Sequence, residues 1–219
     1  MNLKHRKILL LYLTVLPFTF SSCSKKKYFE GSIVYEIKYT SSDSRIDTNR
    51  LKELYGTQFR FYFKEGNMRS DISNAHFKKS LYIKNNNRNY YQTKDSIYWE
   101  DGYKPSEKIT SSKSLAKLDT ILGHECHSII VESTSIDQTF ERKRTYCYAT
   151  DLKIDPVWFS KCKINNLNEI YSTTSALYLK MVDELPTFKM EYKAIKIEHQ
   201  HLEDSIFKTD TKLPLKELL

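Results

Sequence analysis

From Phe29 onward, apolar and polar residues alternate with a period of two. Phe29, Ile33, Tyr35, Ile37 and Tyr39 share one face, with Glu30, Ser32, Glu36 and Lys38 on the other; only Gly31 and Val34 blur the pattern. Such alternation predicts a strand buried on one side. The same period returns at Phe59, Phe61 and Phe63, opposed by Arg60, Tyr62 and Lys64. Glu65-Gly66-Asn67 then predicts a hairpin turn, with Met68 to Ile72 as the return strand. Further strands are expected at Ser80–Lys84, Asn89–Lys94 and Ser96–Glu100, with turns at Asn85-Asn86-Asn87 and Asp101-Gly102. This is an up-and-down meander. Later strands are expected at His127–Glu132, Phe140–Tyr148, Ala176–Asp183 and Thr187–His201, the last carrying Phe188, Met190, Tyr192, Ala194, Ile195 and Ile197.

Helical signals are few. Asp47-Thr48 can cap a short helix in which Leu51, Leu54 and Tyr55 fall at helical spacing before Gly56 ends it. A second short helix is expected within Ile164–Ser172. Tyr103 to Leu118 reads as a polar connector with Pro105 and four serines, and Asp151 to Phe159 as an irregular segment anchored by Trp158. Asp204-Ser205-Ile206-Phe207 begins a polar tail. Only five glycines and five prolines accompany sixteen tyrosines, which suits an antiparallel sheet wet on one face. The expected fold class is mainly β, a curved antiparallel sheet with one or two short helices.

The first residues follow a different pattern. Lys4, His5, Arg6 and Lys7 precede an apolar run from Ile8 to Phe20, interrupted by Thr14, Pro17 and Thr19. That is the length of a signal-peptide core and too short for a span of ~20 apolar residues. Phe20-Ser21-Ser22-Cys23 follows, and resembles the bacterial lipobox, with Phe20 at the place of the usual Leu. The resemblance implies cleavage after residue 22 and a diacylglycerol thioether on Cys23; an ordinary secretory signal with a coincidental cysteine is the alternative. Several acyl chains at ~0.8 kcal/mol per buried methylene make a stable membrane anchor. In lipoprotein families an Asp after the cysteine often signals inner-membrane retention, so Ser24 favours the outer membrane.

The expected organisation is therefore a signal over 1–22, a lipidated cysteine and basic tether over 23–28, and a single β-rich domain over 29–219. Removing the signal lowers the formal charge from +8 to +5, because Lys4, Arg6 and Lys7 leave with it. The remaining basic residues alternate with acids and form no stripe, so no nucleic-acid partner is expected.

Cys126, Cys147 and Cys162 remain after Cys23, and an exported chain meets an oxidising compartment. Three single-bridge pairings exist. If a turn centres on Ile136-Asp137, Cys126 falls opposite Cys147 and Val131 opposite Arg142, which favours a Cys126–Cys147 bridge; directly opposed pairs are often strained. His199 and His201 could share a face, whereas His124 and His127 point apart, and no metal or other cofactor is expected. No Gly-x-Ser-x-Gly, no CxxC and no Gly-rich phosphate loop occurs, so no catalytic residues are assigned and a non-enzymatic role is expected.

Several stretches together resemble a family of Bacteroidota envelope lipoproteins of unknown function. They are Phe29-Glu30-Gly31, Tyr35-Glu36-Ile37, Ile121-Leu122-Gly123-His124-Glu125-Cys126, Tyr148-Ala149-Thr150-Asp151-Leu152-Lys153-Ile154, Ala194-Ile195-Lys196-Ile197 and Asp204-Ser205-Ile206-Phe207. That family in turn is similar to the LolA/LolB lipoprotein-carrier superfamily. The resemblance implies a curved half-barrel closed by helices over an apolar cavity. Phe59, Phe61, Phe63, Tyr82, Tyr90 and Tyr98 would then line a cavity for a lipid or other hydrophobic ligand, although the same rings could equally form a closed core. The expected role is an outer-membrane lipoprotein facing the periplasm that binds such a ligand. The alternative is an interaction or scaffold subunit with an envelope protein partner and no small ligand.

Overall fold

The computed structural model describes residues 27–218, apart from the side chains of 116–118. The expected signal and the Cys23 lipidation site lie outside the described residues. The chain is mainly β: among the described residues, twelve strands form one curved sheet, open and not closed into a barrel. They are β1 (Gly31–Ser41), β2 (Gln58–Lys64), β3 (Asn67–Ser73), β4 (Lys79–Ile83), β5 (Arg88–Gln92), β6 (Ile97–Asp101), β7 (Glu107–Ile121), β8 (His124–Ser135), β9 (Glu141–Lys153), β10 (Ala176–Glu184), β11 (Phe188–His199) and β12 (Leu215–Glu217). Their spatial order is β12-β6-β5-β4-β3-β2-β1-β11-β10-β9-β8-β7. The expected meander is therefore β2 to β6. β1 is the seam, pairing β2 on one side and β11 on the other. The strand pairs are antiparallel except β12 with β6, which is parallel.

Local chemistry explains the connections. Glu65 and Gly66 form a two-residue turn with φ of 47° and 85°, and Lys64 pairs with Asn67 across it. Two left-handed central residues match the twist of the flanking strands. α1 (Thr48–Tyr55) starts where Asp47 accepts from the Asn49 N–H and stops at Gly56, whose φ is 81°. α2 (Leu167–Thr174) follows a 3-10 turn at Ile164–Asn166, in which Asn165 and Asn166 take left-handed φ values of 49° and 57°. Asparagine is among the few non-glycine residues that tolerate that region.

The concave face of the sheet holds the main core. Phe63, Phe159, Tyr171, Leu177 and Leu179 meet there, with a second 3-10 turn at Pro156–Phe159 and α2 filling one end. Tyr28, expected within the tether, is tied to this region: its ring meets Trp158 edge-on at 5.1 Å and its hydroxyl donates to Asp155 at 3.2 Å.

Three expectations are corrected. The polar connector at 103–118 is largely β7, an edge strand of 15 residues paired with β8 from Glu107–Ser135 to Ile121–His124. Its composition hid it: exposed side chains along most of its length remove the apolar alternation, and lysines are common on edge strands. The tail is not simply polar. Leu202 and Phe207 pack with Leu81, Tyr90 and Ile97 into a second core on the convex face. Last, the β8–β9 register is two residues from the expected one: Cys126 faces Ala149, Ser128 faces Cys147 and Val131 faces Arg144. The loop is five residues, 136–140, because Ser135 Oγ accepts from the Thr139 and Phe140 amides and Gln138 turns left-handed. Cys126 and Cys147 are thus diagonal neighbours on one face, and Cys126, Cys147 and Cys162 are free, buried thiols.

Candidate functional site

The concave face is not completely filled. Between the meander and strands β9 to β11 lies a cavity of about 540 Å3, within the range of roughly 300–1,000 Å3 typical of small-molecule sites. β2 and β3 contribute Phe59, Phe61, Met68 and Ile72, and β9 to β11 contribute Tyr146, Tyr178, Met181 and Tyr192. α1 places the exposed Leu54 and Tyr55 at the rim, with Leu218 from the chain's end. Two of these walls are far apart in sequence, and only the curvature about β1 brings them face to face.

Of the residues expected to line the cavity, Phe59, Phe61 and Tyr82 do so. Phe63 is instead sealed in the core against Trp158 and Phe159. Tyr90 lies on the opposite face, because β4 pairs Tyr82 with Asn89 and so sets Tyr90 beside Leu81, in the convex core. Tyr98 pairs with Tyr91 and shares its face, yet sits one strand further out; Tyr91 lines the cavity in its place.

One wall of the cavity is charged, a feature the sequence reading missed. Arg142 and Arg144, two apart on β9, point to the same face as Tyr146. Arg144 lies opposite Asp183 of β10. Arg142 donates through Nε and Nη2 to the two carboxylate oxygens of Asp183, the Nε contact at 2.6 Å, and through Nη1 to Glu107 at 2.9 Å. Arg144 grips both oxygens of Glu107 at 2.7 Å each and reaches Asn165 Oδ1 at 3.1 Å. Ser133 Oγ also donates to Glu107, at 2.7 Å. Arg144, Asp183 and Glu107 are 2%, 1% and 4% exposed, so all three ions are desolvated. Burial alone would push the Glu107 carboxyl upward, but the hydrogen bonds and charge of Arg144, the Ser133 hydroxyl and the Arg142 charge hold it below the usual carboxylate range. The Arg142 guanidinium is held charged against burial by Asp183 and Glu107. The readable signal was charge at Arg142 and Arg144 on a face shared with Tyr146.

Burial pushes the Cys162 thiol, in the cavity wall, up to about 11, so it is a thiol rather than a thiolate at neutral pH. Cys126 is pushed up to about 11 by the same cause. The histidines do not converge: His199 packs edge-on against Phe29, His201 pairs with Glu30 at 2.9 Å, and His124 with Asp151 at 2.8 Å. Among the described residues, no group of three or more His, Cys, Asp and Glu side chains is placed to hold a metal ion, and no helix is long and apolar enough to cross a membrane. A second depression, of about 700 Å3, lies at the β8–β9 loop and is lined mainly by polar side chains such as Lys108, Thr134, Gln138 and Glu141.

No protein-family model matches this chain, and no curated protein matches it.

Proposed function

We propose that this protein is an outer-membrane lipoprotein, anchored through Cys23 and facing the periplasm, that binds a lipid or other hydrophobic ligand without covalent chemistry. The observation that carries the reading is the cavity of about 540 Å3 walled by Phe59, Phe61, Met68, Tyr146, Tyr178 and Tyr192. Apolar walls with a few convergent polar groups are the usual form of a small-molecule site. The lipobox resemblance supplies the anchor, and the similarity to the LolA/LolB carriers is in keeping with a curved open sheet over an apolar space. Binding would be driven by removing apolar ligand surface from water, at roughly 25 cal/mol per Å2 before the costs of association.

The test is mass spectrometry of whatever co-purifies with a soluble version beginning after Cys23, produced in a bacterial periplasm. A stoichiometric lipid or hydrophobic metabolite supports the binder. A protein free of ligand that also ignores a lipid panel refutes it.

A second reading rests on a different observation. Among the described residues β7 is an outer strand of the sheet, and one side of its 15 residues has no strand partner there. An envelope protein could add a strand there, which would make the chain an interaction subunit without a small ligand.

A further inference from the structure

The polar end of the cavity can be read one step further, given the hydrophobic-ligand reading above. Tyr146 and Tyr171 are 4% and 3% exposed, and both line the cavity, as does the half-buried Tyr178. Tyr35 Oη donates to the Tyr178 carbonyl at 2.5 Å, Tyr82 Oη to Asn87 at 2.9 Å and Tyr91 Oη to Glu100 at 2.6 Å. The hydroxyls of Tyr146, Tyr171 and Tyr178 have no such partner among the described residues. Nor are they walled off: among the described residues the sealed side-chain atoms lacking a partner are Gln92 Oε1 and Asn166 Nδ2. Buried hydroxyls are ordinarily hydrogen-bonded, so these three are donors and acceptors presented to whatever occupies the cavity. Tyr146 lies close enough to Tyr171 and Tyr178 to disfavour the ionisation of both, Tyr178 does the same to Tyr171, and burial keeps all three protonated at neutral pH.

Arg142 lines the same cavity, near enough to Tyr146 for its charge to act on that hydroxyl. Its Nε, Nη1 and Nη2 each give one hydrogen to Asp183 or Glu107, which leaves an N–H on both terminal nitrogens uncommitted. The charge at this wall is already balanced, Arg142 and Arg144 against Glu107 and Asp183. The other residues lining the cavity are uncharged side chains. An ionised head group would bring a buried charge with no counter-ion, whereas an uncharged oxygen would simply accept from the free donors.

We infer that the cavity selects an amphiphile whose hydrophobic body lies against Phe59, Phe61 and Met68 and whose head is an uncharged oxygen group, an ester or hydroxyl, held by Tyr146, Tyr171, Tyr178 and Arg142. Ionised carboxylates of the same chain length are discriminated against.

The experiment compares a long-chain saturated fatty acid, at a pH where it is ionised, with the glycerol monoester of the same acid. Both are titrated into the soluble protein preloaded with an uncharged environment-sensitive alkyl fluorophore. The monoester is expected to displace the probe, and the acid to do so at least about tenfold more weakly. Tyr146→Phe and Tyr178→Phe should each weaken the monoester by about two- to tenfold, the worth of one uncharged hydrogen bond, and by a larger factor than they change the affinity of the probe, which has no head group to hold. Equal or tighter binding of the acid overturns the inference, as does monoester affinity untouched in both Phe variants. If neither the probe nor either amphiphile binds, the hydrophobic-ligand reading itself fails, and this inference with it. Binding of the probe alone leaves that reading standing and refutes the head-group assignment.

Discussion

Replacing Glu107 by Gln tests whether the charged wall is a balanced unit. Glu107 accepts two hydrogen bonds from Arg144, one from Arg142 and one from Ser133, all at 2.7–2.9 Å. The substitution keeps the shape but removes the charge, leaving two guanidinium groups to share Asp183. It also turns an N–H2 toward groups that are themselves donors, so at least one arginine contact becomes donor against donor. Breaking a buried pair by removing one partner costs about 3–5 kcal/mol. Because Asp183 stays in place, the lower end, about 3 kcal/mol, is expected. In a domain of this size, about 1 kcal/mol moves Tm by roughly 2–4 °C, so the melt should fall by about 6–12 °C. The sign with pH follows from the direction of the Glu107 shift. Its carboxyl is lowered in the folded state, so its contribution is complete above the unfolded carboxylate range and is lost as pH falls through the lower folded value. The gap between wild type and Glu107→Gln, measured by urea unfolding, should therefore be wide at neutral pH and close under acid. A gap below about 0.5 kcal/mol at neutral pH, the size of an ordinary surface substitution, would refute the reading of this wall as a desolvated, mutually dependent set.

Gly31→Ala should destabilise strongly and Gly123→Ala mildly. A Cβ at Gly31 would lie 2.0 Å from the Glu198 carbonyl oxygen, whereas at Gly123 it meets nothing within 4 Å and carries only the strain of φ +83°, about 1–2 kcal/mol; equal losses in denaturant titration would contradict the close β1–β11 approach. In the version lacking Cys23, native protein should resist a maleimide at neutral pH, and the denatured protein should titrate three thiols, from Cys126, Cys147 and Cys162. A titration of one would reveal a bridge. Phe207→Ala should cost about 3–5 kcal/mol, because Phe207 is 6% exposed in the convex core; a change within 0.5 kcal/mol would show the tail to be a passenger.

What the sequence made legible is what a single strand or turn encodes. Phe59, Phe61 and Phe63 announced β2, and Glu65-Gly66 its turn, because alternation and left-handed φ are local properties. α1 was readable from Asp47, Leu51 and Gly56 for the same reason. β7 was not, since an edge strand with exposed side chains along most of its length has no apolar period to display. The β8–β9 register was missed because it depends on how many residues the loop consumes, which Ser135 decides through its side-chain bonds to Thr139 and Phe140.

The cavity lining shows the same limit more sharply. Placing Tyr82 and Tyr90 on one wall requires knowing which residues pair across β4 and β5, and the observed register puts Tyr82 against Asn89. One residue of register exchanges Tyr90 for Tyr91 on the concave face. The charged wall lies further still from local reading, since Glu107 comes from β7, Arg142 and Arg144 from β9 and Asp183 from β10. None of these side chains is interpretable alone: Glu107, Arg144 and Asp183 would each be a costly buried ion without its partners in place. That interdependence ties β7, β9 and β10 together at one wall of the cavity. A wall whose charges are already spent on one another can offer a ligand hydrogen bonds but no net charge.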